Sequence, residues 1–207
     1  PMLFNRMLRR RQANPDVRII SFTTFGQMTD EGADEVHIFK PHSDLYLLNA
    51  FAYVLVHEGL VDASFVANHV NFMQTINGTD TPIDLATYTA FLDAYSPAAV
   101  ESAVGIAAAD ITRLAQMFGD ASKKCVSTWT MGVNHSVQGT HTVTLINTVA
   151  LLTGNVGRPG ASPFSITGQC NAMGTRETGF TASMPGYRAF DDPAARHELA
   201  GPWGVDV

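Results

Sequence analysis

Val17-Arg18-Ile19-Ile20-Ser21-Phe22 is the stretch on which the fold turns. Its β-branched and aromatic side chains lack the polar alternation of a half-exposed strand, so Arg18 to Phe22 reads as a strand buried on both faces of a parallel sheet. On its amino side Leu3, Phe4, Met7 and Leu8 recur at helical spacing, and Asn14-Pro15 predicts a stop near Ala13. On its carboxyl side Thr23 to Asp34 loses the apolar pattern and holds Gly26 and Gly32, which marks a polar turn before a second strand at Val36-His37-Ile38-Phe39. Ser43 or Asp44 caps a strongly apolar helix from Leu45 to about Glu58, closed by Gly59 and expected to pack on the sheet. Asp62 caps a short helix to about His69, and Asn77-Gly78-Thr79-Asp80 reads as a surface turn. Helices follow over Asp84 to Tyr95, from Ser96-Pro97 as cap and first turn, and over Ala109 to Phe118. Lys124 to Thr130 returns to strand composition, Met131 to His135 is a second polar turn, and helical periodicity resumes from Gln138 to Leu152. This order of elements predicts an α/β fold with a doubly wound, mainly parallel sheet in a three-layer arrangement. The first 152 residues form its regular part. Residues 153–174, with five glycines and two prolines among apolar Phe164, Ile166 and Met173, read as an irregular segment of functional rather than linker type.

Composition narrows the classes. The 207 residues are 45% apolar and 15% charged, enough for a real core and too little charge for a disordered chain. The longest apolar run, Leu45 to Val56, is interrupted by Asn49 and is too short to span a bilayer. A net charge of -6 argues against a broad nucleic-acid surface, and the cluster Arg6, Arg9, Arg10 and Arg11 reads as a solvated helix face. Cys125 and Cys170 match no disulfide framework and no metal-cluster spacing, and the seven histidines show no HExxH pair, so no metal ligands are expected here. The opening at Pro1, already inside a helical pattern, reads as an internal fragment of a longer protein.

Ligands in open α/β sheets bind beyond the carboxyl ends of the strands. Two segments qualify by position, Thr23-Thr24-Phe25-Gly26-Gln27 and Met131 to His135. The first offers hydroxyls, an amide, an aromatic face and a glycine beside which backbone amides can meet a phosphate, although an ordinary strand-to-helix turn fits it too. Neither GxGxxG nor GxxxxGK[ST] is present. His42-Ser43-Asp44 is either a plain helix cap or a carboxylate placed to accept two donors from a guanine edge. Arg176, in Gly174-Thr175-Arg176-Glu177-Thr178-Gly179, is either a surface partner of Glu177 or a guanidinium set to hold a small oxyanion.

Taken together, three stretches carry a family resemblance: Ser127-Thr128-Trp129-Thr130-Met131-Gly132-Val133-Asn134-His135, then Leu151 to Gly160 (LLTGNVGRPG), then Pro163 to Gly179 (PFSITGQCNAMGTRETG). They resemble the catalytic subunit of bacterial molybdopterin nitrate reductases, in the dimethyl-sulfoxide-reductase superfamily. Thr23 to Gln27, followed by Pro41 to Leu45, extends the resemblance over essentially the whole chain. Phe164 to Gln169 and Asn171 to Glu177 are nearer the assimilatory form than the periplasmic one.

The resemblance implies a Rossmann-like domain over residues 1–152 that binds molybdopterin guanine dinucleotide, and a Gly-rich cofactor and substrate-funnel segment over 153–207. It implies an enzyme that reduces nitrate to nitrite by oxygen-atom transfer at molybdenum carried on two such dinucleotides (bis-MGD). Thr23, Thr24, Phe25, Gly26 and Gln27 would surround one dinucleotide, with His42, Ser43 and Asp44 at its nucleotide end. Met131 and His135 would face the pterin, and Arg176 would lie near molybdenum as the catalytic residue. The family often has Gly or Gln in place of His42, and Gln in place of His135. The cysteines for a [4Fe-4S] cluster and for molybdenum would lie outside these residues, so the chain alone is expected to be inactive. The implied setting is cytoplasmic, with a periplasmic alternative, and the electron donor is left open. Formate dehydrogenase shares the scaffold, and a non-catalytic nucleotide-binding module is the reading from another class.

Overall fold

The computed structural model describes residues 2–179 and 182–206. The chain is mixed α/β and divides into two compact units, residues 1–165 and 166–207.

The first unit opens with α1 (Met2–Ala13). Its Phe4 and Leu8 close on Gly32, where an added Cβ would meet them at 2.8 and 2.9 Å. Strands β1 (Ile20–Thr23) and β2 (Glu35–Ile38) then pair in parallel, from Ile20 opposite Glu35 to Thr23 opposite Ile38. The strand is shorter than its composition suggests and is not buried on both faces: Phe22 is 39% exposed. Just before the strand, the Ile19 amide donates to the Asp34 carboxylate at 2.7 Å while its carbonyl accepts from the Asp34 and Glu35 amides. Among the described residues the strands form three two-stranded sheets, so apolar composition here has outrun the cover that neighbouring strands supply.

The centre of the unit is α2 (Asp44–His57). After it come α3 (Ala63–His69), the hairpin β3 (Phe72–Ile76) and β4 (Thr79–Ile83), then α4 (Leu85–Leu92), α5 (Pro97–Val104) and α6 (Ala108–Gly119). Strand β5 (Val126–Trp129), the short α7 (Met131–Asn134), α8 (Gly139–Leu152) and β6 (Ser162–Ser165) complete it. Leu47, Phe51, Val54 and Leu55 of α2 are buried with Leu92, Val100, Ile111 and Leu152, so α2 packs mainly on α4, α5, α6 and α8. It meets β1 through an edge-on contact of Phe51 with Phe22, ring centres 6.0 Å apart. Each such buried side chain contributes about 1.5–3 kcal/mol. Gly119 has no room to be anything else, since a Cβ would lie 2.5 Å from Leu55.

Local signals in the sequence are realised closely. Asp62, Asp84 and Ser96 accept from the amides of Phe65, Thr87 and Ala99 as helix caps, and Gly105 closes α5 at φ 83°. Ser43 stands before α2, but its hydroxyl donates to the Lys40 carbonyl at 2.6 Å instead of accepting from the helix. The surface turn at Asn77-Gly78 proves to be the tip of a hairpin, with φ of 50° and 79°, the pair of left-handed residues a two-residue strand reversal needs.

Strand β6 pairs in parallel with β5, Trp129 opposite Ser165, which ties residues 153–165 to the first unit. The segment read as irregular thus contains a strand. The second unit holds α9 (Ala172–Glu177) and α10 (Pro193–Trp203), the latter capped by Asp192 and braced by Arg188 to Glu198 at 2.7 Å.

Candidate functional site

The pairing of β1 with β2 brings two separate sequence candidates to one edge. Thr23 ends β1, and its carbonyl accepts from Phe39 at 2.9 Å just past the end of β2. The Thr23 to Gln27 turn and the Lys40 to Asp44 turn therefore leave the same carboxyl edge.

Within the first turn the polar groups divide. Thr23 is buried, and its hydroxyl donates to the Phe25 carbonyl at 2.6 Å while accepting from the Gln27 side chain at 3.2 Å. Thr24, Phe25 and Gly26 face outward, Phe25 at 66% exposure. Gly26 has ordinary φ, and a Cβ added there would meet nothing within 4 Å.

In the second turn His42 is exposed and sits at φ 66°, in the left-handed region that favours glycine. Ser43 is buried with its proton committed to Lys40. Asp44 is half-buried in the first turn of α2, and among the described residues no hydrogen bond or ion pair holds its carboxylate. A helix start favours an anionic side chain there.

The β5–β6 pair repeats the arrangement. Met131 to His135 follows β5 directly, and instead of a polar turn it forms one turn of helix, α7, with the His135 amide donating to the Met131 carbonyl at 3.0 Å. Met131 is half-buried and His135 exposed. Asn134, not singled out from the sequence, bridges the ends of both strands, accepting from the Trp129 indole at 3.0 Å and donating to Ser165 at 3.2 Å. Gly132 matches Gly26, with ordinary φ and open space at its Cβ position. An open depression of about 290 Å³ lies beside Asn134, Gly139 and Thr140. It is too small to enclose a dinucleotide.

Arg176 lies on α9 in the second unit, exposed, and among the described residues it makes no ion pair, with Glu177 or any other acid. Among the described residues no three of His, Cys, Asp and Glu converge as a metal site. Burial pushes the Cys125 thiol up, which keeps it protonated, and Cys170 is exposed. Among the described residues no helix is long and apolar enough to cross a membrane.

This construction, two parallel strand pairs each ending in an exposed glycine-bearing turn, has clear relatives. Residues 1–195 match the molybdopterin oxidoreductase family. The chain belongs to that family. A nitrate reductase of Synechocystis sp. is 36% identical over 206 residues, covering 99% of this chain and 27% of that protein. One from Symbiobacterium thermophilum is 37% identical over 208 residues, covering 100% and 27%. A periplasmic nitrate reductase of Desulfovibrio desulfuricans is 36% identical over 207 residues, covering 99% and 27%. This molybdopterin oxidoreductase chain thus spans about a quarter of the length of these relatives. Acetylene hydratase from Pelobacter acetylenicus shares the fold, with a TM-score of 0.60 at 16% identity over 73% of this chain and 19% of that one.

Proposed function

We propose that this chain forms part of the catalytic subunit of a molybdenum nitrate reductase, and that its two carboxyl-edge turns hold molybdopterin guanine dinucleotide. The observation that carries the reading is the pair Gly26 and Gly132. Each follows a parallel strand, neither adopts a backbone conformation reserved for glycine, and neither is pressed by a neighbour. A glycine that neither backbone nor packing requires leaves the main chain open to close approach by a ligand. The three nitrate reductases at 36–37% identity over nearly all of this chain support the substrate.

In this reading the Thr24 hydroxyl and the amides around Gly26 donate to the dinucleotide, with Thr23 and Gln27 shaping the turn and Phe25 offering a face to it. At the nucleotide end Asp44 accepts from the guanine edge, flanked by His42 and Ser43. Met131 and His135 serve the pterin side. When bound, the molybdenum–pterin group, in its bis-MGD form, supplies the two-electron chemistry that turns nitrate and two protons into nitrite and water. Arg176 binds and orients nitrate, whose planar oxygens match the guanidinium fork and whose charge needs a fixed cation. A [4Fe-4S] cluster belongs to the same reading, with ligands other than Cys125 and Cys170, as does a protein or domain that donates electrons. The assimilatory form of the motifs at Phe164 to Gln169 and Asn171 to Glu177 favours a cytoplasmic enzyme.

In the holoenzyme, Gly26→Ala and Gly132→Ala should each lower molybdenum and guanine nucleotide per protein, because the new methyl group occupies space the cofactor uses. Full loading of both variants would defeat the reading. Arg176→Lys should leave loading intact while raising the nitrate KM and lowering kcat, a combined transition-state loss of roughly 1–3 kcal/mol. Wild-type kcat/KM at full loading would remove Arg176 from the substrate site.

A further inference from the structure

We infer that Asp30 is the positioning residue of the Thr23 to Gln27 turn, holding it in the shape that receives the dinucleotide; this rests on the cofactor reading above. Asp30 lies in the short 3-10 turn Met28–Gly32 and is half-buried. One carboxylate oxygen accepts from the Ser21 hydroxyl at 2.6 Å, and the other accepts from the Gln27 amide at 2.7 Å. Its own amide donates to the Gln27 carbonyl at 2.9 Å. Ser21 is inside β1 and Gln27 is where the turn exits, so a single side chain ties the fixed end of the loop to its free end.

The consequence for binding is preorganisation. Thr23 and Gln27 are already bonded to each other across the turn. With Asp30 holding the Gln27 main chain, the outward groups that remain are those of Thr24, Phe25 and Gly26. A loop fixed before the ligand arrives loses less freedom on binding it. A carboxylate close to a phosphate-binding turn would ordinarily oppose an anion, but here each oxygen is engaged by a donor from the chain itself. The acid therefore serves as a double acceptor, a role its charge strengthens but does not define.

That distinction sets the test. Asp30→Asn keeps an acceptor for the Gln27 amide, and its NH2 can donate to the Ser21 oxygen once that hydroxyl turns. Asp30→Ala keeps neither. In the holoenzyme Asp30→Ala should weaken cofactor retention roughly tenfold, the loss of about one charge-assisted hydrogen bond, read as molybdenum and guanine nucleotide per protein. Asp30→Asn should restore most of it. Amide exchange should accelerate at residues 24–28 in Asp30→Ala and remain unchanged in α2 and α8, which a general loss of stability would not reproduce. Wild-type loading in Asp30→Ala, or exchange accelerated throughout the protein, overturns the assignment. So does an Asp30→Asn variant as poor as Asp30→Ala, since the charge and not the pair of acceptors would then matter. If Gly26→Ala lowers loading and Asp30→Ala does not, only the role of Asp30 fails; if Gly26→Ala and Gly132→Ala also keep full loading, the cofactor reading fails with it.

Discussion

At the amino end of the β1–β2 pair, acids and bases satisfy one another. Asp34 receives the Ile19 amide and Arg11, and Glu35 receives Arg18 at 3.0 Å, Arg113 at 2.7 Å and His37 at 3.2 Å. At the carboxyl end of the same two strands Thr24, Phe25, Gly26 and His42 are exposed. The β5–β6 pair is built the same way. Its amino end is closed by Asn155, 2% exposed, which accepts from the Cys125 amide and Arg158 and donates to Thr153 and the Phe118 carbonyl. Its carboxyl end opens into Gly132 and His135. One end of each parallel pair is thus tied together by side chains while the other is left exposed, the end at which open α/β sheets bind ligands.

The contrast breaks most visibly at Asn155. Asn155→Ala should cost about 3 kcal/mol or more, because it leaves the part-buried Cys125 amide just before β5 and the polar groups around Asn155 without their shared partner. Urea unfolding of the cofactor-free protein measures this, and a loss below about 1 kcal/mol would mean that the amino end is not where stability resides.

A smaller effect belongs to pH. Asp34 is held below the usual carboxylate range first by the Ile19 amide, then by Arg11 and Arg18, and Glu35 first by Arg113, then by His37 and Arg18. Lowered folded values contribute stability that is present above the unfolded carboxylate range, about 4 to 4.5, and lost as pH falls through the folded values. Stability should therefore be lost on acidification below that range, and less steeply in Glu35→Gln. Identical acid profiles for the two proteins would remove Glu35 from the stabilising network.

The smallest effect sharpens the comparison from the other side. Gly26→Ala and Gly132→Ala should change the unfolding free energy of the cofactor-free protein by no more than about 0.5 kcal/mol, since each methyl group enters open space. A thermal melt showing clear destabilisation would reveal that the fold itself requires these glycines.

Asp30 shows where a sequence signal was available and passed over. It lies three residues after Gln27, the spacing at which a helix-start side chain reaches back to the main chain, yet Gln27 is a weak cap and Asp30 stands where Glu or Gln is the usual partner. Asn134 offered less, because its partners Trp129 and Ser165 are joined only by the parallel pairing of their strands.

What the sequence by itself determined are the features closed within a few residues. The Asp62 and Ser96 caps, the helix start at Asp84, the helical run of α2 and its stop at Gly59 need only hydrogen bonds and contacts between near neighbours, which composition and spacing report directly. The family motifs were legible for the same reason, since they are continuous. Tertiary structure alone decided that Thr23 to Gln27 and His42 to Asp44 leave one edge, that Asn155 reaches Cys125 across thirty residues, and that Phe22 keeps a face uncovered. Each depends on strand register or on packing between distant segments. The free energy of such contacts belongs to pairs of positions whose meeting no local pattern encodes.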